Sequence, residues 1–298
     1  MKYLWKIIVI ILPIVARSEE FVVGRLQGQL GNQMFQIAAA TALAYENGAK
    51  VLFPDLYSEI EWAIPLNREN IFFRLDASEP TEPIAYTYTE PYCHYQKIPY
   101  QKNMMINGYF QSEKYFQKYK ELICDMFAPS DAITSYLMTK YPEIIEHPKT
   151  VSIHFREYRR EDPEQKCHPN CTIEYYLAAI EKFSEDALFV VFSNNIAWCK
   201  ENFLSISRNF LFIEGEHFQH DFYLMSLCKS HIISNSSFSW WAAYLNQNPD
   251  KVVIAPKTWF AVGYKKDTFD IIPEEWMLLP TQCHHQNRNI GWSDSFEP

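Results

Sequence analysis

Short apolar runs alternate along this chain with segments whose apolar residues recur every three to four positions. Residues 21–26 and 50–53 read as strands on either side of a helix at about 33–47, and residues 105–110 as a further strand. Ser112 then stands as the cap of a helix with Tyr115, Phe116, Tyr119, Leu122, Ile123 and Met126 on one apolar face. Residues 54–104 lack a period and carry Pro54, Pro65, Pro80, Pro83, Pro91 and Pro99; so long an irregular stretch is usually a lid or a ligand-facing surface. From residue 150 the pattern becomes regular, with strands at 151–155, 187–192, 210–213, 231–234 and 251–254. Helices at 194–203, 221–229 and 237–246 separate them, and Thr172 caps another with Ile173, Tyr176, Leu177, Ile180 and Phe183 on one side. Strands alternating with helices predict an α/β fold with a parallel, doubly wound sheet, whose ligands bind outside the carboxyl ends of the strands. Pro142 and Pro148 flank the expected boundary between a domain of residues 21–148 and one of residues 149–298.

Composition narrows the function classes. With 48% hydrophobic and 21% charged residues the chain is globular, and a net charge of -9 argues against a nucleic-acid binder, which needs a basic surface. A phosphorylated ligand must then be held by a few placed arginines. The 16% aromatic content is enough for sugar-stacking surfaces, although the core is the usual home of such rings. The cysteines, Cys93, Cys124, Cys167, Cys171, Cys199, Cys228 and Cys283, form neither a disulfide framework nor a CxxC pair. Cys167-His168-Pro169-Asn170-Cys171 lacks the second ligand pair of a zinc site, and no Asp-x-Asp pair is present for a nucleotide-bound cation, so no metal is expected.

At the N-terminus Lys2 and Lys6 accompany the apolar run 7–16, followed by Ala16 and Ser18. Residues 1–20 read as a signal peptide, or as a signal anchor reaching back to Leu4 and Trp5, and imply a membrane association through residues 4–16 or an export route.

Three strand-to-helix junctions carry the candidate chemistry. In Gly28-Gln29-Leu30-Gly31-Asn32-Gln33 two glycines allow a tight turn and close approach to a ligand beside the amides of Asn32 and Gln33; a glycine turn with Asn32 as helix cap is the simpler reading. The strand at 151–155 ends in His154-Phe155-Arg156, where an arginine can offer a planar fork to a diphosphate and His154 can bond phosphate or ribose. Arg159, Arg160, Glu161 and Asp162 beyond it read as a solvated charge run. At Ser234-Asn235-Ser236-Ser237-Phe238-Ser239, hydroxyls and an amide gather at a positive helix N-terminus, more than a cap requires. Asn235-Ser236-Ser237 also matches a glycosylation sequon, but Asn170-Cys171-Thr172 is the more accessible one. Asp221 is either an N-cap or a carboxylate placed to accept the two N–H donors of a guanine edge.

These segments, with Gly108 to Phe116, Phe192-Ser193-Asn194, Trp198-Cys199-Lys200, Trp240 to Ala243 and Ile254-Ala255-Pro256, resemble the α-1,2-fucosyltransferase family, glycosyltransferase family 11-like, across nearly all of residues 21–280. The resemblance implies a GT-B-like architecture of two Rossmann-like doubly wound domains facing a cleft, an acceptor-side domain and a GDP-fucose-binding one. It further implies inversion at the fucose carbon, no metal and no cofactor besides the GDP-fucose co-substrate. By position His154 and Arg156 match the family group's His-x-Arg motif, in which the arginine contacts the donor phosphate. Asp221 matches the guanine-contacting aspartate, and Asn235, Ser236, Ser237 and Phe238 the phosphate-binding serine segment. Ser193 and Asn194 join the donor site, and Gly31, Asn32 and Gln33 face the cleft, Asn32 as a catalytic candidate beside Arg156 and His154. The chain departs from the family at Glu157-Tyr158, where a second arginine and Gly-Asp are common; Arg159 or Arg160 is the available substitute.

The expected reaction transfers fucose to a hydroxyl of a glycan acceptor, a β-galactoside-containing one, with Asp162 and Glu164 as candidate bases. A non-catalytic glycan- or nucleotide-binding protein on the same scaffold is the alternative from another class.

Overall fold

The computed structural model describes residues 20–58, 64–159, 161–162, 165, 167–261 and 268–281, and the N-terminal signal-like segment lies outside them. Two all-parallel sheets organise the chain. The first contains β1 (Phe21–Gly24), β2 (Lys50–Leu52), β3 (Tyr86–Thr89) and β4 (Met104–Asn107) in the order β2-β1-β4-β3. The second contains β5 (Thr150–Phe155), β6 (Leu188–Ser193), β7 (Asn209–Phe212), β8 (Ser230–Ile232), β9 (Val253–Pro256) and β10 (Met277–Leu279) in the order β10-β9-β8-β5-β6-β7. Counted from its own first strand the second sheet runs 6-5-4-1-2-3, the doubly wound order, and its connections reverse direction between β5 and β8. β5 is buried at all six positions, as a central strand of a parallel sheet covered on both faces must be.

Two helices occupy the space between the sheets. α1 (Leu30–Glu46) is apolar on almost every side, and so is α9 (Ser237–Leu245), which follows β8. A helix without a polar face has to be enclosed, and these two enclose each other. Phe35 of α1 packs 4.5 Å from Trp240 and 5.0 Å from Trp241, and Phe116 stacks on Trp241 at 5.3 Å. One apolar core thereby runs from β1 through both helices into the second sheet. The fit is closest at the helix N-termini, where a Cβ at Gly31 would lie 2.5 Å from the backbone carbon and Oγ of Ser237. Gly31 is therefore a packing glycine, while Gly28, at φ +73°, makes the turn before it.

The remaining helices are α2 (Ile64–Asn70), α3 (Lys120–Met126), α4 (Asp131–Lys140), α5 (Pro142–Ile145), α6 (Ile173–Ile180), α7 (Ile196–Phe203) and α8 (Phe218–Leu227). Below the second sheet a buried polar chain ties strand to helix. Asn246, just past α9, donates from Nδ2 to His231 Nε2 at 2.8 Å, so His231 carries its proton on Nδ1 and meets Ser152 Oγ at 2.8 Å.

Several expectations are corrected. α1 begins at Leu30, three residues early, because the Asn32 and Gln33 amides both bond the Gln29 carbonyl, at 2.9 and 3.1 Å. Asn32 is thus in the first turn and is not its cap. The stretch 54–104 contains α2 and the edge strand β3, whose Tyr-Thr alternation has strong strand propensity. Ser112 does cap, accepting from the Lys114 amide at 3.4 Å, but two 3₁₀ turns precede α3 and Leu122 faces solvent. Near the expected boundary, which stays an expectation, α4 and α5 bury Ile133, Leu137 and Ile144.

Replacing Gly31 by alanine inserts a methyl where none fits and should lower stability by about 1–3 kcal/mol, read as an earlier urea midpoint at unchanged m-value.

Candidate active site

The reversal between β5 and β8 opens a crevice at the carboxyl edge of the second sheet. β5 delivers His154 and Arg156 to it, and β8 runs out into Ser234. His154 Nδ1 lies 3.0 Å from Ser234 Oγ and the ring 5.6 Å from Phe238. Burial, with the Arg156 charge adding to it, pushes the His154 pKa down to about 3, so the imidazole is neutral and acts through hydrogen bonds. Arg156 is half-buried, its guanidinium 5.6 Å from the Tyr158 ring, and it has no ion-pair or hydrogen-bond partner among the described residues.

Three tyrosines shape the floor. Tyr158 donates to the Asn235 carbonyl at 2.8 Å and Tyr176 to the His154 carbonyl at 3.0 Å. Tyr175 reaches both the Ile233 and Ile254 carbonyls, at 2.7 and 3.2 Å, where β8 and β9 diverge. Above them Ser236 holds an extended N-cap backbone, and the first intrahelical bond of α9 runs from the Trp240 amide to its carbonyl. The amides ahead of Trp240 point outward, as at any helix start, and favour an anion. On the facing wall Asn32 Oδ1 accepts from Ser237 Oγ at 3.2 Å and from Gln111 Nε2 at 2.8 Å. Loops from the carboxyl ends of both sheets therefore meet around one opening. It combines an unpaired guanidinium, helix amides, hydroxyls and a neutral imidazole, a set suited to a diphosphate leaving group.

The family model for glycosyl transferase family 11 matches residues 5–279. The chain belongs to this family. Relatives of this family 11 protein include an Escherichia coli α-1,2-colitosyltransferase, 32% identical over 87% of this chain and 98% of that one. The Escherichia coli O-antigen biosynthesis glycosyltransferase WbnK is 28% identical over 80% and 95%. The galactoside α-(1,2)-fucosyltransferase 1 of Sus scrofa is 27% identical over 73% of this chain and 63% of its own length. Among solved structures, NodZ α-1,6-fucosyltransferase soaked with GDP-fucose superposes with a TM-score of 0.50 over 76% of this chain and 92% of that one, at 15% identity. The fold is thus GT-B-like, two parallel α/β sheets with their carboxyl edges toward each other.

Not every residue singled out by the family 11 resemblance opens onto the crevice. Asn235 is fully buried, its amide donating to the Pro169 and Trp259 carbonyls at 2.9 and 3.0 Å, so it braces loops and is closed to ligand and glycan alike. Gln33 is also fully buried, donating to the Gly28 carbonyl and accepting from Asn67, both at 2.7 Å, and does not face the cleft. Asn194 is exposed, but its amide brackets the Glu157 backbone, at 2.8 and 3.0 Å, while Ser193 Oγ accepts from the Asn195 amide at 2.8 Å. Glu157, standing where a second arginine is common, accepts from Asn195 Nδ2 at 3.0 Å and closes this clasp. Asn170, the other sequon residue, accepts the Tyr158 amide at 2.7 Å. Thr172 sits at the N-cap of α6 without a side-chain cap bond. Cys167 and Cys171 are not joined in a disulfide among the described residues, and His168 stacks on Tyr158 and lies tilted against Phe260. Arg159 is exposed and Asp162 accepts from Gln165, whereas Arg160, Glu164 and Cys283 lie outside the described residues.

Asp221 lies in the first turn of α8, one residue from Phe222, whose ring is 5.3 Å from Phe238. Burial, reinforced by the nearby Glu216 charge, raises its carboxyl to about 7, and Oδ1 is buried with no partner among the described residues. Glu216 behaves oppositely. Burial would raise it, but Lys140, Tyr141, His220 and Tyr136 all bond it and bring it to about 2. Sequence reading missed this cluster and also Gln111 and Tyr158, since nothing local in the sequence marks a contact across tens of residues.

His154 and His231 are both held near pKa 3 against 6.5 when unfolded, so their contribution is full above about pH 6.5 and lost as pH falls toward 3. Thermal midpoints should drop through that window, with a shallower pH slope in His154→Gln.

Proposed function

We propose that this family 11 protein transfers L-fucose, with inversion and without a divalent cation, from GDP-fucose to O2 of a galactose-like residue in a glycan acceptor. Arg156, half-buried and without an ion pair or hydrogen bond among the described residues, carries this reading together with the N-terminus of α9. The diphosphate would rest on Arg156 and the outward amides of α9, whose positive charge grows in value as the sugar–phosphate bond lengthens. Ser237 Oγ gives its proton to Asn32 Oδ1 and Ser236 bonds the Tyr158 hydroxyl, so both hold the helix start in place, and neutral His154 offers a hydrogen bond without adding charge. Asn32, from the facing wall, keeps its Nδ2 donors for a sugar hydroxyl while Oδ1 is engaged. Attack comes from the face opposite the diphosphate. As the acceptor oxygen bonds the fucose carbon through a transition state of oxocarbenium character, the carbon–phosphate-oxygen bond breaks, GDP leaves with its electron pair, and the hydroxyl proton passes to water.

Asp221 would read the guanine edge, its ionised carboxyl accepting two N–H donors. A second donor has a specific observation behind it, because the relative at 32% identity is named an α-1,2-colitosyltransferase. GDP-fucose and GDP-colitose should therefore be offered side by side, with β-galactosides and with EDTA present. An α-1,2-linked fucosyl product supports the proposal, preference for the colitosyl donor corrects the sugar, and nucleotide binding without turnover favours a binding protein.

Arg156→Ala should lower kcat by about 10²–10³-fold with an unchanged circular dichroism spectrum, and turnover at the wild-type rate would remove its role. Because Asp221 is protonated below about pH 7 and guanine needs the carboxylate, GDP affinity should rise about tenfold per pH unit below 7 and level off above it. Calorimetry on Asp221→Asn should show that slope gone.

A further inference from the structure

The loop after β3 and the segment after β9 leave the carboxyl edges of the two sheets and are joined to each other. Glu90, at the end of β3, accepts the backbone amides of Tyr109 at 2.7 Å and Phe110 at 3.0 Å, Phe110 standing at φ +51°. The next residue, Gln111, bonds Asn32, and Asn32 bonds Ser237, so this corner is linked bond by bond to the site. On its other side the Tyr95 amide donates to Asp270 Oδ2 at 2.9 Å, joining the post-β3 loop to the post-β9 segment.

At that seam three rings form a stack. Tyr92 lies 5.1 Å from His94 with the planes 8° apart, and His94 lies 5.0 Å from Phe269 at 28°. Core rings would be covered, but Tyr92 is 57% and Phe269 70% exposed. Flat, solvent-facing aromatic rings suit a pyranose, above all galactose, whose axial hydroxyl gathers its C–H bonds on one face. Position and ring chemistry together name the occupant. Resting on the fucosyl-transfer reading, we propose that Tyr92, His94 and Phe269 form the platform for the acceptor residues beyond the one that receives the sugar, the ligand being a β-galactosyl-terminated oligosaccharide.

The full chain is titrated, without donor, with methyl β-galactoside and with lacto-N-tetraose, following saturation transfer to the sugar protons, and transfer from GDP-fucose to each is measured in parallel. The tetrasaccharide should bind at least tenfold more tightly than the monosaccharide. Tyr92→Ala/Phe269→Ala should erase that advantage and lower the ratio of the two kcat/KM values about tenfold, and Tyr92→Trp should restore much of it. Equal binding of the two sugars by the wild type, or an advantage that survives in the double variant, overturns the platform while leaving fucosyl transfer standing. Tetrasaccharide binding that depends on Tyr92 and Phe269 without any transfer supports the platform and overturns the transferase reading instead.

Discussion

The contact between the N-termini of α1 and α9 is the constraint on which the molecule depends. Each helix is too apolar to face water, so each has to be covered by the other, and Gly31 lets the backbones approach where any side chain would collide with Ser237. Phe35, Phe116, Trp240 and Trp241 then interlock, each ring pair worth about 0.5–1.5 kcal/mol beyond its buried area. Because α1 follows β1 and α9 follows β8, this packing also sets how the carboxyl edges of the two sheets meet. Asn32 is brought to Ser237 by the same step that builds the core.

Around that axis the polar residues divide by task. Asn235, Gln33, Asn194 and Glu157 bond the protein's own groups with their side chains and fix loop paths. Arg156 and Asp221 do not, which separates scaffold from site more sharply than residue type does. Glu216 belongs to the scaffold group, gathering Lys140, Tyr136, Tyr141 and His220 between α4 and α8 close to Asp221.

The second sheet was legible because its strands and helices alternate with clear periods, and a parallel sheet buried on both faces leaves apolar runs such as 151–155. His154, Arg156 and the serine run could be placed at strand ends from that pattern alone. The first half was harder. β3 and α2 are short and lie among prolines, and the apolar period after Ser112 is shared by 3₁₀ turns and a helix. Side-chain allegiance was not legible, since nothing local in the sequence shows that Asn235 bonds the carbonyls of Pro169 and Trp259.

The tyrosine hydroxyls beneath the crevice have an electrostatic consequence. Strand ends normally present carbonyl oxygens, whose lone pairs repel a phosphate. Here Tyr158, Tyr175 and Tyr176 occupy those of Asn235, Ile233, Ile254 and His154, so outward-pointing donors dominate the rim. A protein with a net charge of -9 can in this way favour an anion beside Arg156 by muting its own acceptors as well as by placing a cation.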